Sequence, residues 1–270
     1  MVFVLGLSVG SFINMAVYRT AIKHKLRKAA FARWSKDHLR ATASQSRSFC
    51  DGCGKQLRWY ENVPVLSWII QGGKSRCCAN PLPREYPVVE ISTGVLFLLN
   101  YELRITSTGF RMVQNYELII NLLITSLLIF SLVFDLKYMI LPDMANYLLI
   151  GLALVMLVGR ENYWVYLLSG VGSGSFFFIL NRIRIRGLEA MGMGDVKYAI
   201  FSGLFLGFPQ VVVAGYLAFV TGALVSVLLL TKKIVKKTDP IPFGPFLILG
   251  TGVAFGWGEK ILNYVLRIMN

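Results

Sequence analysis

Two aspartates stand where long apolar runs begin or end. Asp135 lies in "VFDLKYMILPD", directly after one such run, and Asp195 lies in "EAMGMGDVK", just before the next residues turn apolar again. Acidic side chains beside membrane-length apolar segments are costly unless they are paired, hydrated or functional. Gly192 and Gly194 remove side chains around Asp195, which permits tight turns and close approach of another segment. These residues are therefore the first candidates for chemistry.

Two carboxylates at one site cannot both ionise cheaply, so one pKa rises and the pair holds a single proton. That state suits peptide hydrolysis, because the ionised acid can take a proton from water while the protonated acid polarises the scissile carbonyl. Intramembrane acids also serve proton and cation transport. Three functions stay open on this basis: an aspartyl protease, an ion- or proton-coupled transporter, and a non-catalytic membrane assembly factor.

Four cysteines form a second candidate site. Cys50 and Cys53 make a C-x-x-C pair, and Cys77 and Cys78 are adjacent. In a reducing compartment such cysteines are not expected to form disulfides. Paired cysteines about 20 residues apart are typical of a structural zinc site. Three interpretations remain: a zinc site completed by Cys77, a site completed by another residue, and a loop without metal.

The elements that must position these residues are membrane helices. The chain has 270 residues, of which 55% are hydrophobic and 16% charged, and its repeated apolar runs match the length that a bilayer demands. We predict an all-α polytopic membrane protein with about eight transmembrane helices and a cysteine-containing loop after the first. The predicted spans are Val2–Tyr18, Pro87–Leu103, Tyr116–Phe134, Met144–Gly159, Tyr163–Asn181, Lys197–Gly207, Gln210–Thr231 and Phe246–Ile268.

The net charge of +14 is a topology signal. Placing the N-terminus outside puts most of the 28 Lys and Arg residues on the cytoplasmic face, as the positive-inside rule requires. Nucleic-acid binding is therefore not expected. In this orientation two spans separate Asp135 from Asp195, so both aspartates are predicted at the cytoplasmic membrane surface. The small residues Gly170, Gly172 and Gly174 predict close helix packing, with a ligand pocket there as the less favoured alternative.

Five ordered segments resemble one known family. "GMGD" (192–195) resembles the GxGD signature of membrane aspartyl proteases, and "FDLKYMILPD" (134–143) is similar to the companion motif of the bacterial type IV prepilin peptidases. The remaining three are "GSFINMAVYR" (10–19), "PREYPVVEISTG" (83–94) and "PFGPFLILG" (242–250). Together they extend over nearly the whole chain.

This resemblance implies a multi-pass enzyme of the bacterial inner (plasma) membrane with two activities. It would cleave the basic leader from type IV prepilins or pseudopilins on the cytoplasmic side, in contact with membrane lipid. It would then methylate the new N-terminal residue with S-adenosylmethionine. Residues 1–86 would form the first helix and the basic, methylation-associated cysteine loop, and residues 87–270 a seven-span peptidase domain.

The resemblance also implies roles for single residues. Asp135 and Asp195 match the catalytic pair, while Glu189, Asp143 and Lys197 match residues that accompany it in supporting positions. The family pattern has two C-x-x-C pairs, and alignment on "PREYP" puts Ser75 where the first cysteine of the second pair is expected. No glycine-rich nucleotide-binding fingerprint is present, which excludes a Rossmann methyltransferase. No residue is assigned to S-adenosylmethionine, and the oligomeric state is not predicted.

Overall fold

The computed structural model describes residues 1–24, 26, 48–50, 53–108, 115–185, 188–189, 191–236 and 240–269. The described chain is almost entirely helical, which confirms the predicted all-α class. The helices are α1 Val2–Lys23, a 3₁₀ turn Trp59–Asn62, α2 Leu66–Ile70, α3 Glu85–Thr108, α4 Asn115–Tyr138, α5 Asp143–Leu157, α6 Tyr163–Arg182, α7 Met193–Leu206, α8 Gln210–Thr231 and α9 Gly244–Met269. Two short strands, β1 Arg184–Ile185 and β2 Leu188–Glu189, pair as an antiparallel hairpin between α6 and α7.

Four helices of the described chain are long and apolar enough to cross a membrane. They are Val2–Lys23, Tyr116–Tyr138, Tyr163–Arg182 and Gln210–Thr231. By contrast α7 has 14 residues, about 21 Å of helix, which is shorter than a bilayer core of roughly 30 Å. The prediction of a polytopic helical membrane protein is confirmed, whereas the count of eight spans stays a prediction.

The chain forms two compact units, Met1–Val133 and Phe134–Asn270. In the first unit α1 packs along α3, and a Cβ placed on Gly10 would lie 2.6 Å from the Glu90 Cα. Glu90 is buried, and its Oε2 accepts a hydrogen bond from the Val65 N–H at 2.7 Å. Because Val65 immediately precedes α2, the Glu90 carboxylate ties the start of α2 to α3. The predicted boundary between residues 86 and 87 divides the chain by activity and not by compactness, so it stays a prediction.

In the second unit α7 packs against α5, α6, α8 and α9. Small residues allow α6 and α7 to approach: a Cβ on Gly170 would lie 2.7 Å from Leu204 Cγ, and one on Gly174 would lie 2.5 Å from Ile200 Cγ1. The Ser173 hydroxyl donates a hydrogen bond to the Ala199 carbonyl across this interface at 2.7 Å. The close packing predicted for Gly170 and Gly174 is therefore confirmed, and it holds the short helix α7 at the centre of its unit. For Gly172 the prediction is wrong, because that residue points away from α7 and an added Cβ meets nothing within 4 Å.

Candidate active site

Asp135 lies in the last turn of α4 and is only 4% exposed. Its Oδ2 is buried and has no hydrogen-bond partner among the described residues. Gly244, the first residue of α9, lies directly against this carboxylate, since a Cβ there would come within 2.5 Å of Oδ2. Glycine is thus required at position 244 for α9 to start beside the acid. A buried carboxylate oxygen without a partner is unusual and marks a site where a ligand or water is expected.

Asp195 lies in the first turn of α7. The helix begins at Met193, four residues before the predicted span, because the Asp195 carboxylate caps it: Oδ2 accepts the Gly192 N–H at 3.2 Å. The Asp195 N–H in turn donates to the Gly192 carbonyl at 3.1 Å. An acidic side chain at a helix N-terminus is favoured by the orphan N–H groups and the helix dipole.

Gly194 brings the two motifs together. A Cβ on Gly194 would lie 3.0 Å from the Leu141 Cβ and 3.3 Å from the Leu141 carbonyl oxygen. Leu141 also contacts Gly244, whose added Cβ would lie 3.1 Å from Leu141 Cδ2. The segment that follows Asp135 is thus packed against both the start of α7 and the start of α9. The structure therefore brings the two predicted catalytic residues into one neighbourhood, although their catalytic role stays a prediction.

The surroundings of Asp195 raise the pKa of its carboxyl group and so favour the protonated form. Asp195 lies outside the four membrane-length helices and ahead of the predicted span at 197–207. Burial raises the pKa of Asp195 to about 7, the negative charge of Asp135 adds to the rise, and the hydrogen bond from Gly192 opposes it. The charge of Asp135 thus acts on Asp195, and two like charges at one site favour the binding of one proton by the pair.

Two asparagines that sequence reasoning missed bind the backbone just before Asp195, at the start of α7. The Asn146 side-chain amide, on α5, donates to the Gly194 carbonyl at 3.2 Å, and the Asn181 amide, at the end of α6, donates to the Met191 carbonyl at 2.5 Å. Both asparagines are buried. We call Asn146 and Asn181 the asparagine clamp. The available signal in the sequence was an amide side chain within an otherwise apolar helix.

The residues predicted in supporting positions have separate places. Lys197 Nζ pairs with Asp143 Oδ1 at 2.7 Å, and it also lies 4.9 Å from the centre of the Tyr147 ring. Because the Asp143 side chain is 63% exposed, an ion pair of this kind contributes roughly 0–1 kcal/mol. Glu189 pairs through its backbone with Arg184, and its side chain lies outside the described part of the chain.

The four cysteines meet at one point. Their Sγ atoms all lie within 4.8 Å of one another, with Cys50 and Cys78 3.7 Å apart and Cys53 and Cys77 3.1 Å apart. A tetrahedral zinc ion with Zn–S bonds of about 2.3 Å separates its ligands by roughly 3.8 Å. The cluster therefore fits a zinc ion with small adjustments.

Two similar turns carry these cysteines, and they explain the position of Ser75. In the first turn the Cys50 N–H donates to the Lys55 carbonyl, and the Cys50 carbonyl accepts from the Gly54 N–H. Ser75 makes the same pair of bonds, with the Asn80 carbonyl and the Ala79 N–H. Ser75 thus takes the place of Cys50 in the second turn, and its hydroxyl lies 3.1 Å from Cys78 Sγ. Cys77 brings the fourth sulfur from a different position of that turn.

Comparison with known proteins identifies a family for this chain. Residues 4–103 match the Bacterial Peptidase A24 N-terminal domain, and residues 122–227 match the Type IV leader peptidase family. A protein of Pseudomonas putida named prepilin leader peptidase/N-methyltransferase is 31% identical, over 98% of this chain and 93% of that protein. The chain belongs to the type IV leader peptidase family. Proteins of the same name from Burkholderia pseudomallei (strain K96243) and Aeromonas hydrophila are 33% and 28% identical, covering 84% and 93% of their lengths.

The two candidate sites lie in different matched regions of the chain. Asp135 and Asp195 both lie in the region matched to the leader peptidase family, whereas all four cysteines lie in the region matched to the N-terminal domain. No solved structure matches this chain.

Proposed function

We propose that this protein is a prepilin leader peptidase and N-methyltransferase of the bacterial inner membrane. The observation that carries the proposal is the placement of two acids in one neighbourhood, the buried Asp135 at the end of α4 and the half-buried Asp195 at the start of α7, where the charge of Asp135 acts on Asp195. The printed names of relatives that align over most of their length support both activities. The substrates are type IV prepilins or pseudopilins.

Peptide hydrolysis follows from one proton shared by the pair. We assign that proton to Asp195, because burial and the neighbouring charge favour its neutral form. Asp135 then takes a proton from water as the water oxygen bonds to the scissile carbonyl carbon, and Asp195 gives its proton to the carbonyl oxygen. Asp135 then gives the proton that it took from water to the amide nitrogen, the C–N bond breaks, and a hydroxyl proton of the tetrahedral intermediate returns to Asp195. The products are a carboxyl group on the leader and a free amine on the new N-terminus.

That amine is the group to be methylated. S-adenosylmethionine supplies the methyl group when it is bound. We assign the first helix and the cysteine loop, residues 1–86, to this second activity and residues 87–270 to the peptidase. Residues of this chain that contact S-adenosylmethionine are left unassigned.

The cysteine cluster is assigned to a structural zinc ion. Cys50, Cys53, Cys77 and Cys78 would hold it, and all four Sγ atoms are already close enough to do so. Such an ion supplies folding free energy to a small loop without a large core. No step of the hydrolysis involves it.

The assignment of the acids is tested by removing one charge at a time. Asp135→Asn and Asp195→Asn variants are expressed with a prepilin precursor, and leader removal is followed by mass. Either variant is expected to abolish cleavage, while methylation of a precursor that has already lost its leader is retained. Leader removal at the wild-type rate by either variant refutes the role of that residue. A transporter or an assembly factor would leave the precursor uncut in the wild type as well.

A further inference from the structure

The second unit contains a cavity of about 660 Å³ whose lining is largely apolar. Residues of α6 and α8 form its two walls, and residues of α7 and α9 form its floor. Its volume lies within the range of ordinary ligand pockets. Both wall helices are long and apolar enough to cross a membrane, so the cavity lies at the depth of membrane-spanning helices.

The floor of the cavity continues the two helix faces that meet at the aspartates. Ala199 and Ser202 line the cavity, and they follow Asp195 by four and seven residues on α7. At 3.6 residues per turn they share its face, about 6 and 10 Å further along the axis. Leu247 and Thr251 of α9 also line it, three and seven residues after Gly244. The cavity therefore begins about one helical turn beyond the aspartates.

Aromatic rings join the cavity to the aspartates. Phe177 and Phe219 line the cavity and stack with ring centres 5.9 Å apart. Phe219 lies 5.2 Å from Phe243, measured between ring centres, and Phe243 directly precedes Gly244 beside the Asp135 carboxylate. A chain of aromatic rings thus leads from the cavity to the residue that precedes Gly244.

Both walls leave space that the protein itself does not fill. Gly172 on α6 and Gly215 on α8 line the cavity, and a Cβ built on either one meets nothing within 4 Å. Gly170 and Gly174, on the other face of α6, are in tight contact with α7. The glycines that face the cavity therefore serve no packing within the described chain. Small residues on membrane helices allow another helix to approach closely.

We infer that this cavity binds the apolar segment of the precursor that follows the cleaved bond. The inference rests on the proposed function and adds to it the surface that holds the substrate. Chain that follows a bond placed between Asp135 and Asp195 can continue along the α7 and α9 faces, where the cavity offers apolar volume. The occupant is thus an apolar peptide segment, continuous with the bond being hydrolysed.

The test fills the cavity with side chains and compares two substrates. Gly172→Leu and Gly215→Leu project a large side chain into open space without a clash, and leucine is the better helix former. Gly151→Leu is the matched control, because Gly151 of α5 also has nothing within 4 Å of an added Cβ and does not line the cavity. The substrates are the full precursor and a soluble peptide that ends a few residues after the cleaved bond.

The two cavity variants are expected to lower kcat/KM for the full precursor about tenfold, the size of effect that overpacking a filled site produces. They are expected to cleave the short peptide at the wild-type rate, and Gly151→Leu to match wild type on both. Equal losses on both substrates, no loss on either, or the same loss in Gly151→Leu would overturn the inference. A wild-type enzyme that cuts neither substrate would instead refute the proposed function.

Photo-cross-linking separates a peptide from a lipid acyl chain as the occupant. A benzophenone amino acid at Val212, which lines the cavity, is introduced into the Asp195→Asn variant so that uncut precursor accumulates. Cross-links to the apolar segment of the precursor are expected. Cross-links to lipid alone, unchanged when precursor is added, contradict the inference.

Discussion

At the scale of single residues, the asparagine clamp explains why Asp195 has a defined position. The Gly192–Gly194 stretch, which includes the first residues of α7, has little side-chain contact of its own to fix it, because two of its three residues are glycines. Amide donors from α5 and α6 bind the carbonyls of Gly194 and Met191. The clamp therefore substitutes hydrogen bonds for side-chain packing beside an acid whose orientation matters.

Replacing Asn146 by leucine is expected to slow cleavage through kcat. The change removes the side-chain donor of the Gly194 carbonyl, a hydrogen bond that contributes about 0.5–1.5 kcal/mol, or about two- to tenfold in rate if the loss falls on the transition state. KM for the precursor and the methylation of a cleaved substrate should not change. Asn100→Leu is the matched control, since the Asn100 amide donates to Leu96 of its own helix and to Thr125. A fall in methylation equal to the fall in cleavage would point to misfolding instead of positioning.

The raised pKa of Asp195 predicts opposite pH dependences for the two activities. Cleavage needs one proton on the pair, so its rate should fall as the pH rises through about 7 and Asp195 loses that proton. Methylation needs the unprotonated N-terminal amine, whose ordinary pKa is about 7.7–8.0, so its rate should rise over the same range. Initial rates on the short peptide and on a cleaved peptide between pH 6 and about 8.5 provide the measurement. Cleavage that is flat or rising across that interval contradicts the assignment of the shared proton.

Sequence reasoning anticipated the acids and not the clamp, for a physical reason. Asp135 and Asp195 are recognisable because a charge next to hydrocarbon needs an explanation. Asn146 and Asn181 bind backbone carbonyls. Every residue has a backbone carbonyl, so the sequence does not show which one an amide side chain will bind. The contact of Gly244 with Asp135 could not be predicted from the sequence either, because it depends on the residue at which α9 begins.

At the scale of elements, the two cysteine turns predict which sulfur is the replaceable ligand. Purified protein is expected to contain about one zinc ion, and Cys77→Ser should reduce that to less than half an equivalent. Ser75→Ala should keep the metal, because the four sulfurs alone complete the cluster. The double variant Ser75→Cys with Cys77→Ser restores two matching turns and should bind zinc again. Full zinc content in Cys77→Ser alone would show that another residue completes the site.

Helix ends were less predictable than helix centres. The apolar run alone predicted a span from Lys197, yet α7 begins at Met193 because Asp195 accepts a hydrogen bond from Gly192. The hydrogen bond is local, but residues 193–196 could equally form a loop. The sequence alone does not decide between these two conformations. The catalytic candidate therefore lies in a helical turn, where its carboxylate is better fixed than it would be in a loop.

At the scale of the whole molecule, the charge distribution predicts the orientation in the membrane. The basic residues concentrate in the segments that follow α1 and α8, whereas the turn between α5 and α6 carries a single arginine, Arg160. The positive-inside rule places the former in the cytoplasm. Both aspartates then lie on the cytoplasmic side, where the leader of a precursor is synthesised.

A thiol reagent that cannot cross membranes tests this orientation. In spheroplasts, Glu161→Cys in the turn between α5 and α6 should react without permeabilisation, because that turn is predicted to be outside. Lys233→Cys, after α8, should react only after permeabilisation, and the four native cysteines should behave in the same way. The unsubstituted protein measures the background from those native thiols. Labelling of Lys233→Cys in intact spheroplasts, with protection of Glu161→Cys, would reverse the topology. The aspartate pair would then lie on the face away from newly made precursors, and leader cleavage would require a different route to the site.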